Sequence, residues 1–258
     1  MKLIKFFLLF IPILVFCQQV SQKNVSDLMI KYSYESIKDT IQIEKKNNEL
    51  MTLAINNNSS IYYSEKFQQA LDLMKKKMDM ALNSNTTIEI NGKDFSMPKV
   101  KHSVFHKDND IFVSSQLGRD LFTFKASNLK WKTNFTDTKD IIGYKCNKAT
   151  ILFNGRVYTA WYTKEIPISE GPYRFKGLPG LILYIEDEKG FDKFEAVSIE
   201  KKQIEIAQLQ KGIAVTREEY IKKREEYREN PFPEKNLTPQ QRKQIIENQK
   251  KSNNTLER

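Results

Sequence analysis

Few of the side chains that do chemistry in proteins stand where they could do it together. His102 and His106 are four apart, a spacing that would let them share a metal on a helix. The run Val100 to His106 reads as a strand, however, which would hold the two rings about 13 Å apart. Asp108 and Asp110 could pair for acid–base work, but a turn rich in Asp and Asn accounts for them more simply. Glu186-Asp187-Glu188 lacks the spaced ligands and terminal Glu of a calcium loop, so a solvated turn is expected. Cys146 would need a base beside it to act as a nucleophile, and the sequence places neither histidine there. Packing in the core is the simpler expectation for it. The chain has no His-Glu-x-x-His, Gly-x-Ser-x-Gly, P-loop or Gly-x-Gly-x-x-Gly motif. No metal, no cofactor and no catalytic residue are expected, and the balance leans away from an enzyme.

The elements that would position any site begin after a leader. Lys2 and Lys5 precede an apolar run from Phe6 to Phe16, which ends abruptly at Gln18-Gln19. That run is far shorter than the roughly 20 residues needed to span a bilayer, so Met1 to Cys17 reads as a signal peptide. Val15 and Cys17 suit cleavage before Gln18; lipid attachment at Cys17 is the lesser reading, because Phe16 is bulky. The protein is therefore expected in the periplasm or at the outer membrane, with no membrane span in the mature chain and Cys146 as its single thiol. A chain of 258 residues, 40% hydrophobic and 11% aromatic, can bury a sizeable core. Two cysteines exclude a disulfide-stapled scaffold. Lys+Arg 42 against Asp+Glu 32 gives +10, which allows contact with anionic surfaces but is ordinary for a secreted basic protein; after Pro231 the two signs are interleaved, which argues against a nucleic-acid arm.

From 18 to 213 the pattern is that of one antiparallel, β-rich domain. Leu28 to Tyr34, Met51 to Ile55, Ile61 to Tyr63 and Thr86 to Ile90 read as strands, as do Ile111 to Ser115 and Leu121 to Lys125. Between them, Phe67, Ala70, Leu71, Met74, Met78 and Ala81 recur at helical spacing, so a helix over 65–82, capped by Ser64, should pack its methionine stripe into the core. Asn154-Gly155 is the preferred type I′ dipeptide and sets Phe153 opposite Arg156, Ile151 opposite Tyr158 and Ala149 opposite Ala160. Both faces of that hairpin look partly covered. A second hairpin joins Leu181–Ile185 to Phe191–Ile199. Thr216 with Glu219 forms a capping box, and Thr238-Pro239 starts another helix. Residues 214–258 are expected to form a polar helical tail, partly mobile.

Gly177-Leu178-Pro179-Gly180-Leu181-Ile182, with Gly143-Tyr144-Lys145-Cys146 and Ala160-Trp161-Tyr162-Thr163 nearby, resembles the signature of the GLPGLI family. The resemblance implies an exported protein of a Bacteroidetes-type bacterium, in a family without an established activity. Pro179-Gly180 suits the centre of a type II turn, and the motif reads either as a buried corner or as part of a contact surface. On the second reading, Arg156, Trp161, Tyr173 and Phe175 line the surface. The expected fold is mainly β with helices (α+β): an antiparallel sheet, as an open half-barrel covered by a helix, with a β-sandwich as the alternative. The expected function is a non-enzymatic binding or accessory role at the cell envelope, for an apolar ligand or an outer-membrane partner. A secreted hydrolase with an unrecognised active site is the alternative.

Overall fold

The computed structural model describes residues 24–84, 96–233 and 235–257. The leader expected over Met1–Cys17 and the strand expected over Thr86–Ile90 lie outside these residues. The first half of the chain gives β1 (Leu28–Ile37), β2 (Lys46–Ile55), β3 (Ser59–Ser64), α1 (Glu65–Ser84), β4 (His102–Lys107), β5 (Asp110–Leu117) and β6 (Asp120–Ala126). The second gives β7 (Thr138–Ile141), β8 (Tyr144–Phe153), β9 (Arg156–Thr163), β10 (Leu181–Asp187) and β11 (Asp192–Glu200). A short β12 (Ile213–Ala214) and two helices, α2 (Arg217–Glu229) and α3 (Pro239–Lys251), follow.

Among the described residues these strands make one open sheet, in the order β12-β6-β5-β4-β3-β2-β1-β11-β10-β9-β8-β7. Two meanders of sequence neighbours are spliced where β1 pairs with β11. All pairs are antiparallel except β12 with β6. The protein is thus mainly β with helices, and its sheet is curled but unclosed. Alternation drives the curl's inner face: Ile30, Tyr32 and Tyr34 of β1 are buried, as are Tyr158 and Ala160 of β9 and Phe194 of β11. These residues belong to one core cluster that also takes in Phe124 of β6, so distant strands share one inner face.

The connection from β9 to β10 folds over that inner face. Tyr173, Phe175 and Leu178 are buried there, and Phe175 lies with its ring centroid 4.9 Å from those of Phe153 and Tyr158. The signature motif makes the corner of this connection. Its turn is not type II: Gly180 N–H donates to Leu178 O at 2.8 Å, a three-residue turn around Pro179. Gly180 is required by close approach instead, because a Cβ there would lie 2.0 Å from Thr163 O. Gly171 has the same reason, its Cβ falling 2.3 Å from Phe175 O.

One packing expectation is corrected. Only Phe67 and Ala70 of α1 are buried, while Met74 and Met78 stand 45% and 63% exposed. The methionine stripe is not core, because α1 meets β2 and β3 only near its start. The helix that packs on the inner face is α2, through Tyr220 stacked 5.1 Å from Phe124. The β8–β9 hairpin has the expected register, with Asn154 and Gly155 at φ 49° and 78°. Its outer face is partly covered: Thr150, Thr159 and Trp161 are half-buried, while Leu152 and Val157 by the turn are exposed.

Candidate functional site

Polar groups converge at the mouth of the curl. The Asn154-Gly155 turn makes Arg156 the first residue of β9 and aims it inward, where it is buried. The β10–β11 turn does the same for a carboxylate. Asp187 Oδ1 accepts Lys189 N–H at 2.9 Å and Oδ2 accepts Asp192 N–H at 2.6 Å, which fixes the turn and points Asp192 inward. Both aspartates are buried, so Asp187 is not part of a solvated acidic turn; its second function as a backbone acceptor takes it inside. Tyr34 donates to Asp192 Oδ1 at 2.7 Å, and Arg156 Nη1 and Tyr158 Oη lie 3.5 and 3.4 Å from Oδ2. Burial, aided by the Asp187 charge, holds the Asp192 carboxyl above its ordinary range despite Tyr34 and Arg156.

A second cluster lies beside the first. Tyr173 and Arg174 of the β9–β10 connection and Arg217 of α2 all donate to the Glu257 carboxylate, at 2.6, 2.7 and 2.8 Å. Burial alone would raise that carboxyl, but Arg174, with the hydrogen bonds, overrides it and holds Glu257 below the usual range. Between the clusters is a cavity of about 170 Å³ bordered by Tyr34, His102, Ser115, Asp192, Tyr220 and Glu257. His102 packs edge-on to Tyr173 at 5.0 Å, and its Nε2 finds no hydrogen-bond partner among the described residues. Burial pushes its pKa down to about 4, so the ring is a neutral base.

The segment 252–257 occupies this mouth. Asn254, Leu256 and Glu257 are buried, whereas α3 just before them buries none of its residues. Arg156 Nη1 donates to Asn254 Oδ1 at 2.7 Å, and Asn254 Nδ2 donates to Ile37 O at 2.7 Å.

The structure therefore brings Arg156 and Tyr173 to the cleft and leaves the other candidates elsewhere. Phe175 is in the core and offers no surface. Trp161 lies on the outer face of β9, near Tyr184 and the Lys139 ammonium. Leu178, Leu181 and Ile182 of the motif are buried as packing. His106 anchors the β9–β10 connection, its Nδ1 lying 3.0 Å from Glu170, which Lys176 also reaches at 2.6 Å. Cys146 is buried, and desolvation pushes its thiol up to about 11. Among the described residues no three His, Cys, Asp or Glu side chains are grouped to hold a metal. Sequence reasoning missed Tyr34, Asp192, Asn254 and Glu257. The visible signal was a hairpin turn with an acid at each end, Asp187 and Asp192.

An open, curled antiparallel sheet with a polar cleft at its mouth is the class of fold these contacts define. The chain belongs to the family described as N-glycanase peptide, N-terminal domain, which matches residues 63–218. Among solved structures, a PNGF-II chain is similar with a TM-score of 0.51 at 16% identity, covering 80% of this chain and 34% of that one. A second PNGF-II crystal form gives 0.46 at 14% identity, covering 86% and 33%. An uncharacterized conserved protein from Thermus thermophilus gives 0.37 at 9% identity, covering 74% and 91%. The first likeness supports the fold alone. This chain thus spans about a third of the PNGF-II chain. No curated protein matches it.

These findings correct two expectations. The match over 63–218 contains Gly177–Ile182, so the motif belongs to an N-glycanase domain and not to the GLPGLI family. Gly180 answers to backbone crowding and Gly177 to a φ of 100°, which specifies a corner and not an activity. The non-enzymatic envelope role falls with that resemblance, and the hydrolase alternative is the better supported.

Proposed function

We propose that the chain takes part in the hydrolysis of N-glycosylated peptides and meets its substrate at the Asp192–Arg156 cleft. Membership of the N-glycanase N-terminal domain family carries this reading. The cleft supports it. Burial raises the Asp192 carboxyl above its ordinary range, the direction that favours a proton donor, while Arg156 supplies a fixed charge for an oxygen. His102 adds a neutral base to the same cavity. Export through the Met1–Cys17 leader is proposed with it, and would bring the protein to glycopeptides outside the cytoplasm. The test is incubation of the purified protein with an N-glycosylated peptide, with peptide masses and binding followed together. Release of the glycan, or saturable binding lost in Asp192→Asn and Arg156→Ala, is the expected result. A folded protein that neither releases the glycan nor binds the glycopeptide would overturn the reading.

A further inference from the structure

We propose that the cleft is a binding site for an extended peptide with an asparagine and, three residues on, a carboxylate, and that segment 252–257 is its resident occupant. The inference rests on the reading above for the class of substrate, and it adds which part of the peptide is read and what fills the site beforehand.

Two side-chain pockets hold the segment. In the first, the Asn254 carboxamide is read at both ends. Its Oδ1 accepts from Arg156 at 2.7 Å, and its Nδ2 donates to Ile37 O at 2.7 Å and faces Asp192 Oδ2 at 3.4 Å. A donor facing the oxygen and acceptors facing the nitrogen select an amide over an acid or a hydrocarbon. In the second pocket, Tyr173, Arg174 and Arg217 surround the Glu257 carboxylate. Three donors, two of them cationic, select an anion.

The main chain between the pockets is held without regard to side chains. Asn254 N–H donates to Lys38 O at 3.0 Å, Asn154 Nδ2 donates to Leu256 O at 2.7 Å, and Arg224 donates to Glu257 O. Main-chain bonds for affinity and spaced pockets for specificity are how extended peptides are recognised. The occupant also fits the substrate class. Asn253-Asn254-Thr255 has the Asn-x-Thr spacing of a glycan acceptor. Its acceptor position, Asn253, is exposed at the rim, with Oδ1 taking Thr40 N–H at 3.0 Å. A peptide bound in this way sets its acceptor asparagine at the rim, directly beside the residue held by Arg156 and Asp192.

The experiment is competition in the full chain. Asn254→Ala with Glu257→Ala loosens the resident segment, and fluorescence anisotropy then measures a labelled Ser-Asn-Asn-Thr-Leu-Glu peptide. The peptide should bind the double variant and bind wild type at least roughly tenfold more weakly, because the tethered segment competes at high effective concentration. Replacing the peptide's second asparagine or its glutamate with alanine should each cost roughly tenfold, the loss of a charge-assisted hydrogen bond. No binding to a folded double variant, or equal binding of the three peptides, overturns the site. Where the double variant does not fold, hydrogen exchange at the Asn254 amide of wild type decides. Exchange faster than at β1 shows a segment that leaves by itself, and exchange only on global unfolding overturns the proposal. Peptide carrying a sugar on its first asparagine separates the two readings. If it alone fails to bind, the glycopeptide function falls and the peptide site stands. Glycan release without binding of the bare peptide does the reverse.

Discussion

Arg156 and Asn254 are 98 positions apart in the chain, yet the Arg156 guanidinium donates to the Asn254 side-chain oxygen at 2.7 Å with both residues buried. The same guanidinium nitrogen lies 3.5 Å from Asp192 Oδ2. A cation sealed between a carboxylate and a neutral carboxamide is costly to leave half-paired, so removing either partner should be felt strongly. That coupling ties a hairpin turn, a sheet strand and the 252–257 segment into one unit.

Two glycines should respond differently to substitution. Gly180→Ala forces a Cβ to within 2.0 Å of Thr163 O, a backbone atom that cannot swing aside. About 2 kcal/mol or more of stability should be lost, as for other overpacked sites. Gly155→Val meets no atom within 4 Å, but its φ of 78° resists a β-branched residue. It should lose about 1 kcal/mol or more by conformation alone. Denaturation midpoints order the two; a Gly180→Ala midpoint equal to wild type would show that the Thr163 carbonyl gives way to a methyl group.

The His102 ring should make stability fall in mild acid. Its folded pKa of about 4 lies below the ordinary 6.5. The unfolded chain therefore takes up the proton first, and stability present above 6.5 is lost as pH falls toward 4. Tyr173 packs against the ring, while Glu257 favours its protonation and Lys38 opposes it. Melting curves at about pH 7 and about pH 4.5 should separate more for wild type than for His102→Gln. Equal separations would show that the ring is solvated.

Asp192 should act in the opposite sense. Its folded pKa is raised above 3.8, mainly by burial, so the folded chain binds this proton more tightly than the unfolded chain. The stability tied to it is full in acid and is lost as pH rises through the folded value. Relative to wild type, Asp192→Asn should therefore gain stability as pH is raised. A difference between the two melts that does not change from about pH 4 to about pH 7 would place the carboxyl in its ordinary range.

Cys146 should be silent in the folded protein. The thiol is buried, and burial pushes its pKa up to about 11, so little thiolate is available at neutral pH. An aromatic disulfide reagent should label it only after denaturant is added. Fast labelling of the native protein would mean that the β8 strand opens locally.

Local rules determined much of the scaffold. Alternation of apolar residues located β1, Asn154-Gly155 set the register of β8 with β9, and Thr216 with Glu219 placed the start of α2, whose capping box is present. Each depends on neighbours within a few residues, which a sequence displays directly. The methionine stripe of α1 misled for the same reason: periodicity shows an apolar face but not whether anything lies against it. The cleft was decided only by the tertiary structure. Tyr34 comes from β1, Arg156 from β9, Asp192 from the start of β11, Arg174 from the folded-over connection, Arg217 from α2 and Glu257 from the segment beyond α3. In the sequence all of these but Arg156 are ordinary polar residues, several within runs that read as solvated. Curling the sheet withdraws them from water, and buried charges must then find one another, so the pairing that makes the site exists only in the folded chain.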